Sequence, residues 1–208
     1  MMHYIKVFLG VLLGVAVFMF LDYALPSKNT VRVTNTYNRL TEIGSNRMFY
    51  AAEDTGTVQN AQGQRDIRFI ETVRPNGKVH VYRNEDTGWI WPPYFKFDSS
   101  DLQAEAAAAV APNKDQWVVI THYGWRNKYL TIFPNAIGIR KVEGPDVTVI
   151  PWFNIFFFVF VLFAFGMIRA MWRQFRERSI DPALEDMSDS VSEQRGRLTR
   201  WLDTWRRK

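Results

Sequence analysis

"VTVIPWFNIFFFVFVLFAFGMI", residues 147–168, carries no ionisable side chain and seven phenylalanines. A helix of ~20 apolar residues covers the ~30 Å hydrocarbon core of a bilayer, so this block reads as a membrane span. Directly after it, "RAMWRQFRER" puts Arg169, Arg173, Arg176 and Arg178 within a few positions. Short cytoplasmic flanks are rich in Arg and Lys, which assigns this end to the cytoplasm. Pro151 near the outer end suits a first helical turn, where its missing N–H costs no hydrogen bond.

The opposite end of the chain has a matching block, "YIKVFLGVLLGVAVFMFLDYAL", residues 4–25, uncharged from Val7 to Leu21. It reads as an N-terminal transmembrane helix over residues 1–25. The rival reading is a cleaved signal peptide, because Lys6 precedes the apolar core. Against cleavage, "DYALPSKN" offers no clean small-x-small site, and Tyr23 suits an interfacial anchor. Two spans, at 1–25 and 147–168, return both termini to the cytoplasm of a bacterial inner membrane and place residues 26–146 in the periplasm. Gly10 and Gly14 form a small-x-x-x-small face, and Ala164 and Gly166 give the second span small surfaces, the kind that let helix backbones approach in lipid. Pairing of the spans and chance both account for them. The Phe156, Phe160 and Phe163 surface reads as lipid contact or as a docking face for another membrane protein.

The charges add a constraint. From Asp22 to Asp146 there are 15 Lys and Arg against 14 Asp and Glu, so the net charge of +5 arises elsewhere, mostly after Ile168, with ten basic and seven acidic residues. A nucleic-acid partner is therefore not expected. Zero cysteines exclude disulfides and thiolate metal sites.

Within residues 26–146, alternating "TVRVTNTY", "RDIRFIET", "GKVHVYRN", "TGWIW", "QWVVITHYG" and "KYLTIFPN" are strand signals. Asn76-Gly77 predicts a hairpin turn between the second and third. Ser100 and Gln103 form a capping-box pattern before "LQAEAAAAVA", a helix ended by Pro112. Residues 51–64 read as an irregular loop. The expected class is an α+β membrane protein: two transmembrane helices flanking a small, mainly antiparallel β domain with one short helix, then an amphipathic C-terminal helix.

Catalytic chemistry is sparse. His80 and His122 sit in strand patterns with no second histidine at ligand spacing, which predicts structural or surface roles and no metal. Glu53-Asp54 and Glu85-Asp86 flank turns, where solvated charge is the ordinary account. An enzymatic site would need a concave convergence such as Asp86, Asp98 and His122. No catalytic residue and no cofactor is expected. Two aromatic segments stand out: "DTGWIWPPYFKFDSSD" with Trp89, Trp91, Tyr94 and Phe95, and "HYGWRNKYLTIFPNAIGIR" with Trp125 and Arg126. Each reads either as packing within the domain or as an exposed contact with a partner or the membrane.

In the tail, 169–208, Trp172 recurs with Met171 and Phe175 beside Arg169, Arg173 and Arg176. Pro182 and "DMSDSVSE" are expected to loosen the chain. Leu198, Trp201, Leu202 and Trp205 then return at helical spacing among arginines, which predicts a basic amphipathic helix suited to an anionic bilayer surface, a protein partner or solvent.

The blocks "TNTYNRL" (34–40), "GSNRMFYA" (44–51), "RDIRFIET" (65–72), "YRNEDTGW" and "PPYFKFDSSDLQA" (82–104), "THYGWR" and "FPNAIGIR" (121–140) resemble, in order, an uncharacterised family of inner-membrane proteins known chiefly from alphaproteobacteria. The resemblance covers residues 1 to about 170 and leaves out the basic tail. It implies an inner-membrane setting and brings no catalytic residues. The favoured expectation is a non-catalytic accessory or assembly subunit of a larger membrane complex. A stand-alone envelope sensor or ligand-binding protein is the alternative, and an enzyme with an unrecognised periplasmic site a further one.

Overall fold

The computed structural model describes residues 2–51, 64–87, 94–110 and 116–206, apart from the side chains at 200, 201 and 203–206. The chain divides into two compact units, Met1–Asn154 and Ile155–Lys208. The first holds α1 (Met2–Ala24), β1 (Ser27–Glu42), a 3-10 turn (Gly44–Phe49), β2 (Gln64–Val73), β3 (Val79–Asn84), α2 (Ser99–Val110), β4 (Trp117–Tyr123) and β5 (Asn135–Val142). The helical remainder is α3 (Trp152–Phe175), a π turn (Arg176–Ile180) and α4 (Asp181–Arg206). The helices starting at Met2 and Trp152 are long and apolar enough to cross a membrane.

The five strands close into a barrel in the order β1-β2-β3-β5-β4. Closure depends on β1, whose first half pairs with β4 (Ser27 opposite His122) and whose second half pairs with β2 (Glu42 opposite Gln64). A register shift between Val33 and Asn35 falls near the hand-over, where an extra residue bends the strand. All pairings are antiparallel except a short parallel contact of β3 with β5, at Arg83 opposite Asn135. The expected sheet is thus a closed barrel, which leaves few exposed edges.

Side chains alternate across the wall. One face brings Val31, Val33, Ile70, Tyr82, Val118, Ile120 and Ala136 against Leu102, Ala106 and Ala109 of α2. The short alanine side chains let the helix lie close to the sheet. On the other face Ile43, Tyr50, Ile67 and Phe69 cluster with Tyr37 and Phe133. The β2–β3 hairpin turns where predicted, with Gly77 at φ +75°.

Three local expectations are corrected. "KYLTIFPN" is not a strand: Asn127 Oδ1 accepts the N–H groups of Tyr129 and Leu130, Thr131 sits at φ +52°, and only an isolated Asn127–Ile132 bridge forms before β5 starts at Asn135. An Asx-type side-chain bond there outcompetes the ladder. The capping box does not form as drawn either. Helix α2 begins at Ser99, whose N–H and Oγ donate to the Asp86 carboxylate, while Gln103 Oε1 accepts from Asn84. The tail does not loosen at Pro182. That residue comes just after the π turn, where the Asp181 N–H bonds back to the Arg176 carbonyl and the widened turn accommodates the proline ring, and helix continues through "DMSDSVSE". Of "TGWIW", Thr87 lies outside any strand and residues 88–91 lie outside the described residues, as do Glu53-Asp54 and Pro112.

Candidate functional site

The most elaborate chemistry in the first unit lies where α1 meets the barrel. Tyr23, buried in the last turn of α1, packs its ring against Phe49, Tyr123 and Trp125 at centroid distances of 5.7, 6.1 and 5.3 Å. Its carbonyl accepts the Gly124 N–H at 2.9 Å. Gly124, at φ +88°, supplies a backbone conformation that a side chain would strain. Trp125 Nε1 donates to Asp22 at 2.8 Å, and the Tyr94 hydroxyl donates to the Ala24 carbonyl. Asn154 Nδ2 donates to the Pro26 carbonyl at 3.1 Å.

Behind this junction lies a buried ionic network. Arg83 Nη1 donates to Glu85 Oε2 at 2.7 Å, and Arg65 Nη2 lies 3.8 Å from Oε1 of the same carboxylate. These three side chains are 1–2% exposed. Burial, the largest single influence, pulls the Arg83 guanidinium down, but Glu85 together with Tyr123, Tyr23 and Tyr50 outweighs it and the net shift is upward. The Tyr50 ring stacks 4.7 Å from the Arg83 guanidinium. Asn135 locks the backbone of Glu85 by accepting its N–H and donating to its carbonyl, both at 3.0 Å, and also donates to Tyr123 Oη. Nearby, buried Lys96 donates to Asn84 Oδ1 and to the Ala136 carbonyl. Burial pushes its ammonium down to about 8.

A second polar layer lies within the wall lined by Tyr82. Asn29 Nδ2 reaches Tyr82 Oη at 2.9 Å and His122 Nε2 at 2.6 Å. The His80, Tyr82 and His122 rings form a triangle with centroids 4.7, 5.1 and 6.3 Å apart. The histidines, far apart in sequence, thus become neighbours. Burial first, then the cationic surroundings, hold both imidazoles near pKa 4, so both are neutral at pH 7. Burial lifts the Tyr82 hydroxyl to about 12. Sequence reasoning missed this layer because strand alternation puts His80 and His122 on an inner face without saying which strands are neighbours.

The expected contact residues fall into several groups. Trp125 packs on α1, and Arg126 braces its own loop by donating to the Asn127 and Ile132 carbonyls and lying 4.2 Å from the Phe133 ring. Tyr94 stacks on Tyr123 at 4.6 Å, Phe95 is exposed, and Trp89 and Trp91 lie outside the described residues. A Cβ added at Gly10 or Gly14 would meet nothing within 4 Å. Phe156, Phe160 and Phe163 are exposed on α3 and Ala164 is half-buried. Arg169 is exposed, Trp172 contacts Phe175, and Arg173 and Arg176 pair with Glu177 and Asp181. Leu198 and Leu202 are exposed on α4, while the side chains of Trp201 and Trp205 lie outside the described residues. Of the three residues named as a possible enzymatic convergence, Asp86 caps α2, Asp98 is exposed and His122 binds Asn29. Among the described residues no group of three or more His, Cys, Asp or Glu is placed to hold a metal ion.

A family model described as a protein of unknown function, DUF1523, matches residues 2–176. An uncharacterized protein of Haemophilus influenzae is 35% identical over 150 residues, covering 72% of this chain and 85% of its own length. No solved structure matches the chain.

Proposed function

Because the chain belongs to the DUF1523 family, whose description assigns no activity, we propose from its geometry a non-catalytic accessory or assembly subunit of a larger bacterial inner-membrane complex. The observation carrying this reading is the α1–barrel junction. Tyr23 is a core residue of the barrel unit, and Asp22 and Ala24 are hydrogen-bonded to it, so α1 holds the barrel in one pose relative to the span. A catalytic or sensory domain on a loose tether has no need of that rigidity, whereas a spacer that presents a surface at a set height does. Cleavage after the first span would remove Tyr23 from the core, which favours a retained anchor. The arginines after Ile168 favour cytoplasmic termini and a periplasmic barrel. The exposed Phe156, Phe160 and Phe163 surface is then available to a neighbouring membrane protein.

The test is native electrophoresis of membranes solubilised in a mild detergent, with the protein tagged at its chromosomal locus. Co-migration with the same partners at constant stoichiometry supports the subunit reading, and loss of that complex on Phe160→Ala with Phe163→Ala identifies the interface. A monomer or homo-oligomer surviving in several detergents overturns it.

A further inference from the structure

The imidazole layer has a surplus of donors. Both N–H groups of Asn29 Nδ2 are used, one on Tyr82 Oη and one on His122 Nε2. Neutral His122 therefore carries its proton on Nδ1, which is buried with no partner among the described residues. Arg74 Nη2 donates to His80 Nδ1 at 3.4 Å, which leaves the His80 proton on Nε2, also buried without a partner there. Arg74 Nε is a third such donor. Tyr82 Oη accepts from Asn29 and keeps its own proton to give. Native structures seldom leave buried donors unmatched, and here, unlike around Glu85, the unmatched groups lie in one layer with no carboxylate beside them, so an anion entering that layer would serve them.

The charges point the same way. The groups acting on the two imidazoles are Arg74 and Arg126 on His80, and His80 and Arg74 on His122, with no carboxylate among them. A metal cation would meet Arg74 and only two imidazoles, whereas an anion would meet a guanidinium and N–H donors. A carboxylate offers two oxygens, and a phosphate group offers three or more to donors spread over rings 6.3 Å apart. His80 and Arg74 are half-buried, so the layer reaches solvent. Asn29 follows the end of α1 by five residues, an extended reach of at most about 18 Å, which brings a lipid headgroup as well as a soluble phosphate compound within range.

We propose that Arg74, His80, His122, Asn29 and Tyr82 form a binding site for the phosphate group of an anionic ligand. This site stands independently of the subunit reading.

Only three histidines occur in the chain, so ¹⁵N-histidine labelling of the full-length protein in maltoside micelles reports each ring separately. Titration with inorganic phosphate, and transfer into nanodiscs containing phosphatidylglycerol, are the two arms. The expected result is a saturable shift of His80 Nε2 and His122 Nδ1 in at least one arm, with His3 unmoved. Response to phosphate identifies a soluble source, and response to the phospholipid alone a headgroup. Arg74→Gln should weaken the response at least tenfold and Arg74→Lys should restore part of it. Asn29→Asp, which puts a carboxylate beside the donors, should abolish it and serves if Arg74→Gln fails to fold. Rings silent in both arms, or shifts equally large in Arg74→Gln or Asn29→Asp, overturn the proposal.

Discussion

Two buried polar regions of one small barrel are built on opposite terms. Around Glu85, cations meet a countercharge: two arginines share one carboxylate, Asn135 ties down its backbone, and Tyr50 covers Arg83. Around His80 and His122 there is no countercharge, both rings are kept neutral, and donors outnumber acceptors. The first also leaves Arg83 Nε and Glu85 Oε1 without a hydrogen-bond partner among the described residues, but there donor and acceptor stand together. The second has donors with no carboxylate beside them, which makes it the better place to look for an anionic ligand. Ionic pairs in a dry interior are held by geometry, and removing one member strands the others.

The contrast is broken most directly at Glu85. Glu85→Ala leaves Arg83 and Arg65 buried without their anion and should cost about 3–5 kcal/mol, read as a fall in the thermal midpoint of the solubilised full-length protein. A change under about 1 kcal/mol would mean that the network is hydrated and that the two regions differ less than their contacts imply.

The imidazole layer should respond to acid. The folded state holds His122 near pKa 4 against about 6.5 unfolded, so between those values the unfolded chain binds more protons. Its stabilising contribution is fully present above about pH 6.5 and disappears as pH falls to about 4, up to about 3 kcal/mol for this group. Thermal midpoints across that range should fall steeply for the wild type and less so for His122→Gln, which cancels the carboxylate titrations common to both. Equal slopes would show that His122 is already solvated.

A smaller effect is expected at the α1 junction. Trp125→Phe removes the bond to Asp22 but keeps most of the ring contact with Tyr23, and should cost about 1 kcal/mol. Cysteines placed at Asp22 and Trp125 should still cross-link in that pose; failure to do so would separate α1 from the barrel and remove the basis of the spacer reading. The smallest effect belongs to Pro182→Ala, expected to stabilise by about 0.5 kcal/mol with helical circular dichroism unchanged, because the π turn that precedes Pro182 already absorbs its ring and missing N–H.

Much of the architecture was legible from local pattern. Uninterrupted apolar runs announce spans because lipid leaves backbone groups no partner outside a helix. Asn76-Gly77 announces a turn because it tolerates positive φ, and the alanine run of α2 a thin helix. Pattern failed where a side-chain hydrogen bond overrode it: Asp86, distant in sequence, caps α2 in place of the box, and the adjacent Asn127 converts a strand-like run into a turn. At the candidate site, Glu85-Asp86 looked like solvated turn charge, yet Glu85 is buried between two arginines and Asp86 holds a helix terminus.

By itself, then, the sequence determined which segments are apolar enough to enter a bilayer, which alternate as strands, and where charge accumulates, since each depends on neighbours along the chain. Tertiary structure alone decided that β1 bends to close the barrel, that Tyr23 belongs to the domain as well as to the span, and that His80, His122 and Arg74 share one layer. Those facts depend on which strands become neighbours, and strand alternation specifies a face but not the strand that will lie beside it.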